Sequence, residues 1–359
     1  MIYQQMMRGA GYSLDRAYLG MVSQAYDYLT VFDISDPTNM TPVFEIGGGS
    51  LVVYGADYAP DDGVLYVGVD ADGLGSEQLR SYDVHDFDGT TPTLLDSIAV
   101  TYDPRTVVVL DDGELITDPS SGECAAIDRS DPSSLVLLNE ATNTGGDTAQ
   151  FLFIPSIQHS FITSNATDRM YMFDLTDAAT LSETDNYFLG GVAGGQPSVD
   201  LTREIVFAPM RGAGDIEYAD ISDPTNLPIA TLFTNARRFN ATAHDDARQI
   251  LFTGSYSNST SAGATTVIEA WDTSSLGSAS VLGDITIFLT FIHSFYLDTD
   301  RDVLFLAGYY QPDDGPKLQA YDVSDVTSIT LLGETDVSDT SIVEYPQFSS
   351  RALIPMIPA

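Results

Sequence analysis

Seven copies of one short pattern recur along this chain, and their spacing constrains the fold more than any other feature. Each copy is an apolar stretch that ends in an aspartate and passes into a polar loop. The seven aspartates are Asp33, Asp83, Asp128, Asp174, Asp220, Asp272 and Asp322, at successive separations of 50, 45, 46, 46, 52 and 50 residues. A strand-rich period of roughly 40 to 50 residues is typical of propeller blades. The spacing therefore predicts a seven-bladed β-propeller with four-stranded antiparallel blades.

The residues between the aspartates have the composition of strands joined by tight turns. Acidic turns such as those at 61–63 and 298–301 precede apolar stretches rich in Val, Leu, Phe and Tyr. Asp and Gly accept turn dihedral angles, and β-branched and aromatic residues favour strands. No stretch has a helical period over three turns. The chain is predicted to be all-β.

The recurring aspartate is predicted to be structural. It ends a strand at a place where its carboxylate can accept backbone N–H groups of the loop. In three copies a second aspartate (Asp36, Asp131 or Asp223) precedes a proline, which restrains it to an extended or turn conformation. A residue that every blade needs serves the architecture, whereas an active site is needed only once.

The segments VFDISDP (31–37), YDVHD (82–86), YADISDP (218–224) and YDVSD (321–325) resemble the LVIVD repeat. The resemblance covers roughly residues 7 to 335, although the copies at Asp128 and Asp272 depart from the pattern. It implies a β-propeller, often at a cell surface or secreted. It implies no reaction, because the repeat itself carries no catalytic residue.

The C-terminal segment leaves two arrangements open. The strand pair that precedes each aspartate loop occurs at 6–22 and again at 341–357, which is one pair more than the number of loops. Either the second pair lies beside the first blade and closes the ring, or it begins an eighth blade. We favour closure, with residues 1–359 as a single propeller domain and 336–359 as its closure segment.

The charge of the chain predicts a high-salt environment. There are 52 acidic residues against 14 basic ones, so the formal net charge is −38. Self-repulsion of this size destabilises a compact chain unless salt screens it, and the Debye length is about 3 Å at about 1 M salt. We therefore expect an extreme halophile, or a virus infecting one, as the source. Nucleic acid is excluded as a partner because its binding needs clustered Lys and Arg.

The sequence predicts no membrane span and no secretion signal. The longest apolar stretch, 285–297, is too short to cross a bilayer and contains His293. A surface or virion location is favoured by the family resemblance, and a cytoplasmic location stays open.

Candidate binding residues come from aligning the blades on their apolar second strands, since propellers commonly bind ligands on the inner strands at one mouth of the channel. One predicted ring is Met7, Tyr54, Pro104, Gln150, Gly195, Asn240 and His293, and the next is Arg8, Gly55, Arg105, Phe151, Gln196, Ala241 and Ser294. The polar candidates among them are Arg8, Tyr54, Arg105, Gln150, Gln196, Asn240 and His293.

The same alignment predicts no catalytic residue and no metal cluster. Neither ring contains a set of His, Asp and Glu of the kind that a catalytic metal needs. The four histidines fall at different phases of the repeat. The acidic turns at 61–63, 111–113 and 313–315 could hold a structural Ca²⁺ or another hard cation, and no other cofactor is expected.

Three functions are compatible with these features. The favoured one is a non-catalytic, non-enzymatic module that binds a protein or glycan, on a cell surface or as a virion turret or spike. A homo-oligomer or assembly in a larger particle would suit this role. The alternatives are a cytoplasmic interaction scaffold and a propeller hydrolase or lactonase with a cation at the channel mouth.

Overall fold

The computed structural model describes residues 18–23, 28–71, 77–84, 91–101, 104–110, 114–119, 123–142, 148–154, 158–164, 169–176, 182–188, 195–210, 214–223, 228–234, 237–256, 266–289, 291–310, 315–336 and 353–356. Within these ranges the chain forms strands and turns, with one 3₁₀ turn at Leu276–Ser278. The strands are β1 (Tyr18–Ser23), β2 (Tyr28–Asp33), β3 (Thr41–Gly47), β4 (Val52–Ala59), β5 (Val64–Asp70), β6 (Glu77–Asp83), β7 (Thr93–Ala99), β8 (Pro104–Val109), β9 (Glu114–Pro119), β10 (Glu123–Asp128), β11 (Val136–Thr142), β12 (Thr148–Ile154), β13 (His159–Ser164), β14 (Arg169–Asp174), β15 (Ser182–Phe188), β16 (Ser198–Asp200), β17 (Ile205–Pro209), β18 (Asp215–Asp220), β19 (Ile229–Thr234), β20 (Arg238–Asp245), β21 (Ile250–Tyr256), β22 (Thr266–Asp272), β23 (Ser280–Ile287), β24 (Phe291–Asp298), β25 (Val303–Tyr310), β26 (Gly315–Asp322), β27 (Thr330–Asp336) and β28 (Leu353–Met356).

The strands form antiparallel four-stranded sheets, which confirms the all-β prediction. The sets β4–β7, β8–β11, β12–β15 and β16–β19 are each one sheet in chain order. The sets β20–β23 and β24–β27 follow the same order and are joined into one larger sheet where Tyr256 pairs with Phe291. No helix in the described ranges is long and apolar enough to cross a membrane.

The last strand in the described residues pairs with the first of them. β28 runs antiparallel to β1, with Tyr18 opposite Met356 and Met21 opposite Leu353. The resulting sheet has the order β28-β1-β2-β3. Of the two arrangements left open for the C-terminal segment, the structure has the one in which it joins the first sheet.

The first strand of each set lies in the interior. We use "first strands" for β4, β8, β12, β16, β20 and β24, with β28 in the corresponding place beside β1. They contact one another in the pairs β28 and β4, β4 and β8, β8 and β12, β16 and β20, β20 and β24, and β24 and β28. β20 is buried along almost its whole length, whereas the fourth strands β7, β23 and β27 are largely exposed. Apolar side chains pack between neighbouring sheets, as where Leu19 and Met21 meet Phe305.

The hairpin after each first strand turns in the same way at five places. One residue adopts a positive φ, and its carbonyl accepts the backbone N–H of the residue after the repeat aspartate. The φ values are 62° at Gly63, 52° at Gln158, 56° at Glu204, 57° at Gln249 and 54° at Asp302. The donors are Val84, Leu175, Ile221, Thr273 and Val323, at 2.8 to 3.0 Å. This bond ties each turn to the neighbouring loop of its own sheet.

The repeat aspartates cap the loops that follow them. In six copies Oδ1 accepts the backbone N–H two residues later: Asp33 from Ser35, Asp128 from Ser130, Asp174 from Thr176, Asp220 from Ser222, Asp272 from Ser274 and Asp322 from Ser324, at 2.8 to 3.0 Å. For Asp83 the corresponding residue lies outside the described ranges. Hydrogen bonds from the serine hydroxyl and backbone N–H lower the pKa of Asp220, Asp272 and Asp322. These carboxylates therefore serve to hold the loops in place.

Candidate functional site

A β-bulge recurs at one register position of the first strands. In each case a single residue lies between two residues that pair with consecutive residues of the second strand. These bulge residues are Tyr54 in β4, Arg105 in β8, Ala149 in β12, Asn240 in β20 and His293 in β24. A bulge leaves its residue out of the ladder and re-aims its side chain, and bulges are frequent beside active sites. Five first strands therefore carry an extra residue at the same end.

Four of the seven predicted candidates occupy these bulge positions, namely Tyr54, Arg105, Asn240 and His293. Gln150 lies one residue after the bulge in β12, and Pro104 of the predicted ring lies one residue before Arg105. Gln150 and Pro104 were placed one residue away from the bulge because the spacing of the repeats does not show where a strand contains an extra residue. Arg8 lies outside the described residues, as do the side chains of Arg105 and Gln150.

Gln196 links three first strands at this end of the molecule. Its backbone N–H donates to the Asn240 carbonyl at 2.8 Å, and its carbonyl accepts the Thr242 N–H at 3.0 Å. Its side chain continues to β24, where Oε1 accepts the Phe295 N–H at 2.7 Å and Nε2 donates to the Phe295 carbonyl at 3.1 Å. The preceding residue must be glycine, because a Cβ on Gly195 would lie 2.5 Å from the Asn240 carbonyl oxygen.

Asn240 and His293 lie next to each other on β20 and β24. The Asn240 side chain is 3% exposed and donates from Nδ2 to the Ile292 carbonyl at 2.6 Å. Its Oδ1 accepts no hydrogen bond from the described residues. His293 is 9% exposed, and its ring centroid lies 5.9 Å from that of Phe291. Buried acceptors are normally satisfied, often by water or a ligand, so Asn240 Oδ1 marks a place for a bound hydroxyl group.

A second cluster lies at the opposite end of β20, and sequence reasoning missed it. Asp200, His244 and Asp246 are all buried, and their ligating atoms lie within 4.8 Å of one another. His244 Nδ1 is 2.9 Å from Asp246 Oδ1, and Nε2 is 3.8 Å from Asp200 Oδ2. The sequence did not reveal this cluster, because Asp200 lies in a neighbouring sheet. The two residues occupy different positions in the repeat, so aligning the repeats does not bring Asp200 and His244 together.

The hydrogen bonds of this cluster give it a structural role. The guanidinium of Arg203 donates from Nε to Asp200 Oδ2, and from Nη1 to the Thr273 carbonyl at 2.5 Å. Asp246 Oδ2 accepts the Leu201 N–H at 3.1 Å. The carboxylates are thus already paired with a cation and with the backbone. The bulge end, with its orphan acceptor and histidine, is the better candidate for a functional site.

The comparisons with known proteins were made for sequence and for structure. The LVIVD repeat model matches residues 22–46. No curated protein sequence matches the chain. The periplasmic gluconolactonase of Pseudomonas aeruginosa is similar in structure, with a TM-score of 0.73 and 12% identity over 96% of this chain and 100% of that one.

Two further solved structures share the fold. A Bacteroides uniformis protein with the provisional name 6-phosphogluconolactonase has a TM-score of 0.72 and 13% identity, covering 90% of this chain and 97% of that one. A hypothetical selenium-binding protein of Sulfolobus tokodaii has a TM-score of 0.68 and 10% identity, covering 94% of this chain and 93% of that one. At these identities the likeness shows the fold.

The lactonase names correct the functional prediction. The expectation of a non-catalytic attachment or decoration module, and of a protein that is not an enzyme, is wrong against structural neighbours named as gluconolactonase and 6-phosphogluconolactonase. They favour the alternative of a propeller hydrolase. The error came from treating the repeat as the whole functional content of the chain, although a scaffold can host any site. The chain carries an LVIVD repeat in an all-β fold of antiparallel four-stranded sheets, similar to 6-phosphogluconolactonase-like propellers.

Proposed function

We propose that this protein is a lactonase that hydrolyses the ring ester of a sugar lactone at the bulge positions of its first strands. The observation that carries the proposal is the placement of His293 and Asn240 side by side at equivalent bulges, with Asn240 Oδ1 unsatisfied by the described residues. The lactonase names of two structural neighbours supply the reaction class.

The scaffold of the proposed site is a single closed propeller with seven blades. Support comes from the grouping of strands, since each repeat aspartate belongs to its own set of four. Further support comes from β28, which takes the place of the first strand in the sheet of β1 to β3. A ring of this kind would bring all the bulge positions to one mouth of a central channel.

The chemistry of lactone opening suits these side chains. Water attacks the ring carbonyl, a general base takes its proton, and an oxyanion forms on the carbonyl oxygen. The ring C–O bond then breaks, and the ring oxygen takes up a proton to give the free hydroxy acid. We assign His293 as the general base, because histidine is the side chain that most often takes up a proton in catalysis at neutral pH. Asn240 Oδ1 would accept a hydroxyl group of the polyol. Tyr54, at the matching position of β4, is a candidate donor to the substrate oxygens.

A lactonase assay tests this assignment directly. Purified protein in high salt is given glucono-1,5-lactone or its 6-phosphate, and acid release is followed above the uncatalysed rate, with and without EDTA. We expect turnover by the wild type and a fall in kcat on the order of 10²- to 10⁴-fold in His293→Gln. EDTA separates a mechanism that depends on a bound cation from one that rests on His293.

His159→Gln is the matched control. His159 is also buried, but it lies at the start of β13, a second strand of another sheet. This variant should keep wild-type turnover if it remains folded. Wild-type protein that is folded and hydrolyses neither lactone, or His293→Gln with unchanged kcat, would contradict the proposal.

We also infer that the protein works at high salt, because a formal net charge of −38 needs screening. This supports a halophilic source.

A further inference from the structure

We infer that Gln196 is a positioning residue whose amide holds the main chain on one side of His293 while Asn240 holds it on the other. The catalytic part of this inference rests on the proposed function. Its structural part concerns the orientation of the His293 ring and can be measured without a substrate.

The first step of the argument is the two-point contact of Gln196 with β24. Both ends of its amide bond the same residue, with Oε1 accepting the Phe295 N–H at 2.7 Å and Nε2 donating to the Phe295 carbonyl at 3.1 Å. Two parallel hydrogen bonds fix a peptide unit in orientation as well as in position. The side chain therefore replaces a neighbouring strand as the hydrogen-bonding partner of Phe295 on this side of β24.

The second step is the contact on the other side of the bulge. Asn240 Nδ2 donates to the Ile292 carbonyl at 2.6 Å. The ladder between β24 and β25 passes from Ile292 directly to Ser294, so His293 lies outside it. The main chain around His293 is thus held at residues 292 and 295 by two side-chain amides from outside the set β24–β27. These contacts fix the main chain at the bulge, as inter-strand hydrogen bonds fix regular strand residues.

The third step is the rigidity of Gln196 itself. Its backbone bonds Asn240 and Thr242, and the Thr242 hydroxyl also donates to its carbonyl at 2.9 Å. The bridge between Gln196 and Ala241 is parallel and joins two sheets. Because Gln196 and Asn240 are tied to each other through the backbone, both ends of the clamp move together. A change at either one should displace His293.

The size of the expected effect follows from the sensitivity of proton transfer to geometry. Misplacing a catalytic group by about 1 Å can reduce the rate by about 10²-fold. Loss of the clamp should lower kcat with little change in KM, because His293 acts on the attacking water and does not have to bind the substrate. We expect kcat to fall by about 10- to 100-fold in Gln196→Ala.

Gln196→Glu separates the clamp from simple space filling. Glutamate has nearly the same size, and one oxygen can still accept the Phe295 N–H. Its second oxygen, when ionised, faces the Phe295 carbonyl oxygen and repels it. If the clamp is the cause, this variant should lose about as much kcat as Gln196→Ala.

Gln319→Ala is the control for loss of a buried glutamine. Gln319 lies on β26, and both ends of its amide are also bonded, to Glu334 at 3.0 Å and to the Tyr321 hydroxyl at 2.7 Å. Its removal should reduce stability without moving His293. Melting temperatures of all three variants establish that they are folded under the assay conditions.

The orientation of His293 is read by NMR of the histidine rings, of which the chain has 4. His293→Gln identifies its signal. We expect one sharp His293 signal in the wild type and in Gln319→Ala, and a shifted or broadened signal in both Gln196 variants. Unchanged kcat and an unchanged signal in folded Gln196→Ala would overturn the inference, as would an equal loss of kcat in Gln319→Ala. If the wild type opens no lactone, the proposed function fails, while the NMR comparison still decides whether the clamp exists.

Discussion

Arg301 Nη1 donates to the carbonyl oxygen of Ile34 at 2.7 Å, across a separation of 267 residues. Arg301 follows the end of β24, and its Nε also bonds Asp298 Oδ2 at 2.6 Å. Ile34 follows Asp33 in the first sheet. The same arrangement joins Arg248 to the Val323 carbonyl at 2.9 Å and Arg203 to the Thr273 carbonyl. At these three junctions a guanidinium therefore joins one set of strands to the set that follows it.

Replacing Arg301 should weaken the junction between the last full set and the first sheet. We expect Arg301→Met to lower the free energy of unfolding by about 1.5 to 3 kcal/mol, because hydrogen bonds to a charged group are lost. Arg301→Lys should recover little, since an ammonium cannot span both partners. Denaturant unfolding measures the change. Arg80→Met is the control, because Arg80 bonds Gln78 within its own strand. Equal losses in the two variants would contradict a latch.

At the junction between β4–β7 and β8–β11 the positions of the cation and of its acceptor are exchanged. Asp62 lies three residues after the end of β4, the place that Arg301 has after β24. The cation comes instead from Arg129, which follows Asp128, bonds Asp62 and donates to the Leu110 carbonyl at 2.8 Å. Arg129 is a residue by which the copy at Asp128 departs from the repeat pattern.

This exchange predicts a non-additive pair of substitutions. Arg129 is 2% exposed, so Arg129→Ile should cost about 1.5 to 3 kcal/mol through loss of its hydrogen bonds to Asp62 and to the Leu110 carbonyl. Asp62→Arg alone should also destabilise, because it places two cations together. The double variant places an arginine where Arg301 lies in its own hairpin, but residue 59 is alanine and supplies no partner like Asp298, so it should recover part of the loss. Denaturant unfolding of all four proteins gives the coupling energy, and simple additivity would refute the exchange.

We expect the protein to lose stability in acid through its repeat aspartates. Hydrogen bonds from Ser324 lower the pKa of Asp322 in the folded state. A lowered folded pKa stabilises the protein above the unfolded value of about 3.9, and the contribution is lost as the pH falls through the folded pKa. Asp322→Ala should lower Tm by about 1 to 2 °C at neutral pH. Asp322→Asn keeps an acceptor and should lower it less. A Tm gap between the wild type and Asp322→Asn that does not change from pH 7 to pH 3 would contradict this account.

Removal of the C-terminal strand should open the first sheet. Deleting residues 341–359 takes away every pairing of β28 with β1, from Tyr18 to Met21. We expect a sharp fall in Tm by calorimetry. Deletion of 357–359 alone leaves β28 intact and serves as the control. Equal melting temperatures for the two truncated proteins would show that β28 does not hold the sheet.

Salt should stabilise the protein over a wide range of concentrations. The formal net charge of −38 gives strong self-repulsion, which is screened as the Debye length falls from about 10 Å at 0.1 M to about 3 Å at 1 M. Tm should therefore rise with either NaCl or KCl. Sucrose at matched osmolality serves as the control for solute exclusion. A Tm that is as high in dilute buffer as in molar salt would contradict the inference that the protein needs its charge to be screened.

The sequence predicted the elements of the fold better than the details of the site. The period of the aspartates gave the four-stranded sets, because strand length and turn chemistry are local properties. The bulges at Arg105 and Ala149 could not be found, since a bulge is defined by the partner strand and leaves no mark in the spacing. His244 and Asp200 meet only because β16 packs against β20. The class of reaction could not be predicted from the repeat, because the repeat pattern specifies only the architecture.

The pairing of β28 with β1 also bears on how the protein is made. A ribosome releases residues 18–23 long before residues 353–356, so the first sheet cannot be completed until the strands β4 to β27 have been synthesised. Until then the edge of β1 that β28 will cover lacks its partner, and such edges invite pairing with other chains. The sheet that contains β1 should therefore be completed only after the sheets that lie between β3 and β28 in the sequence.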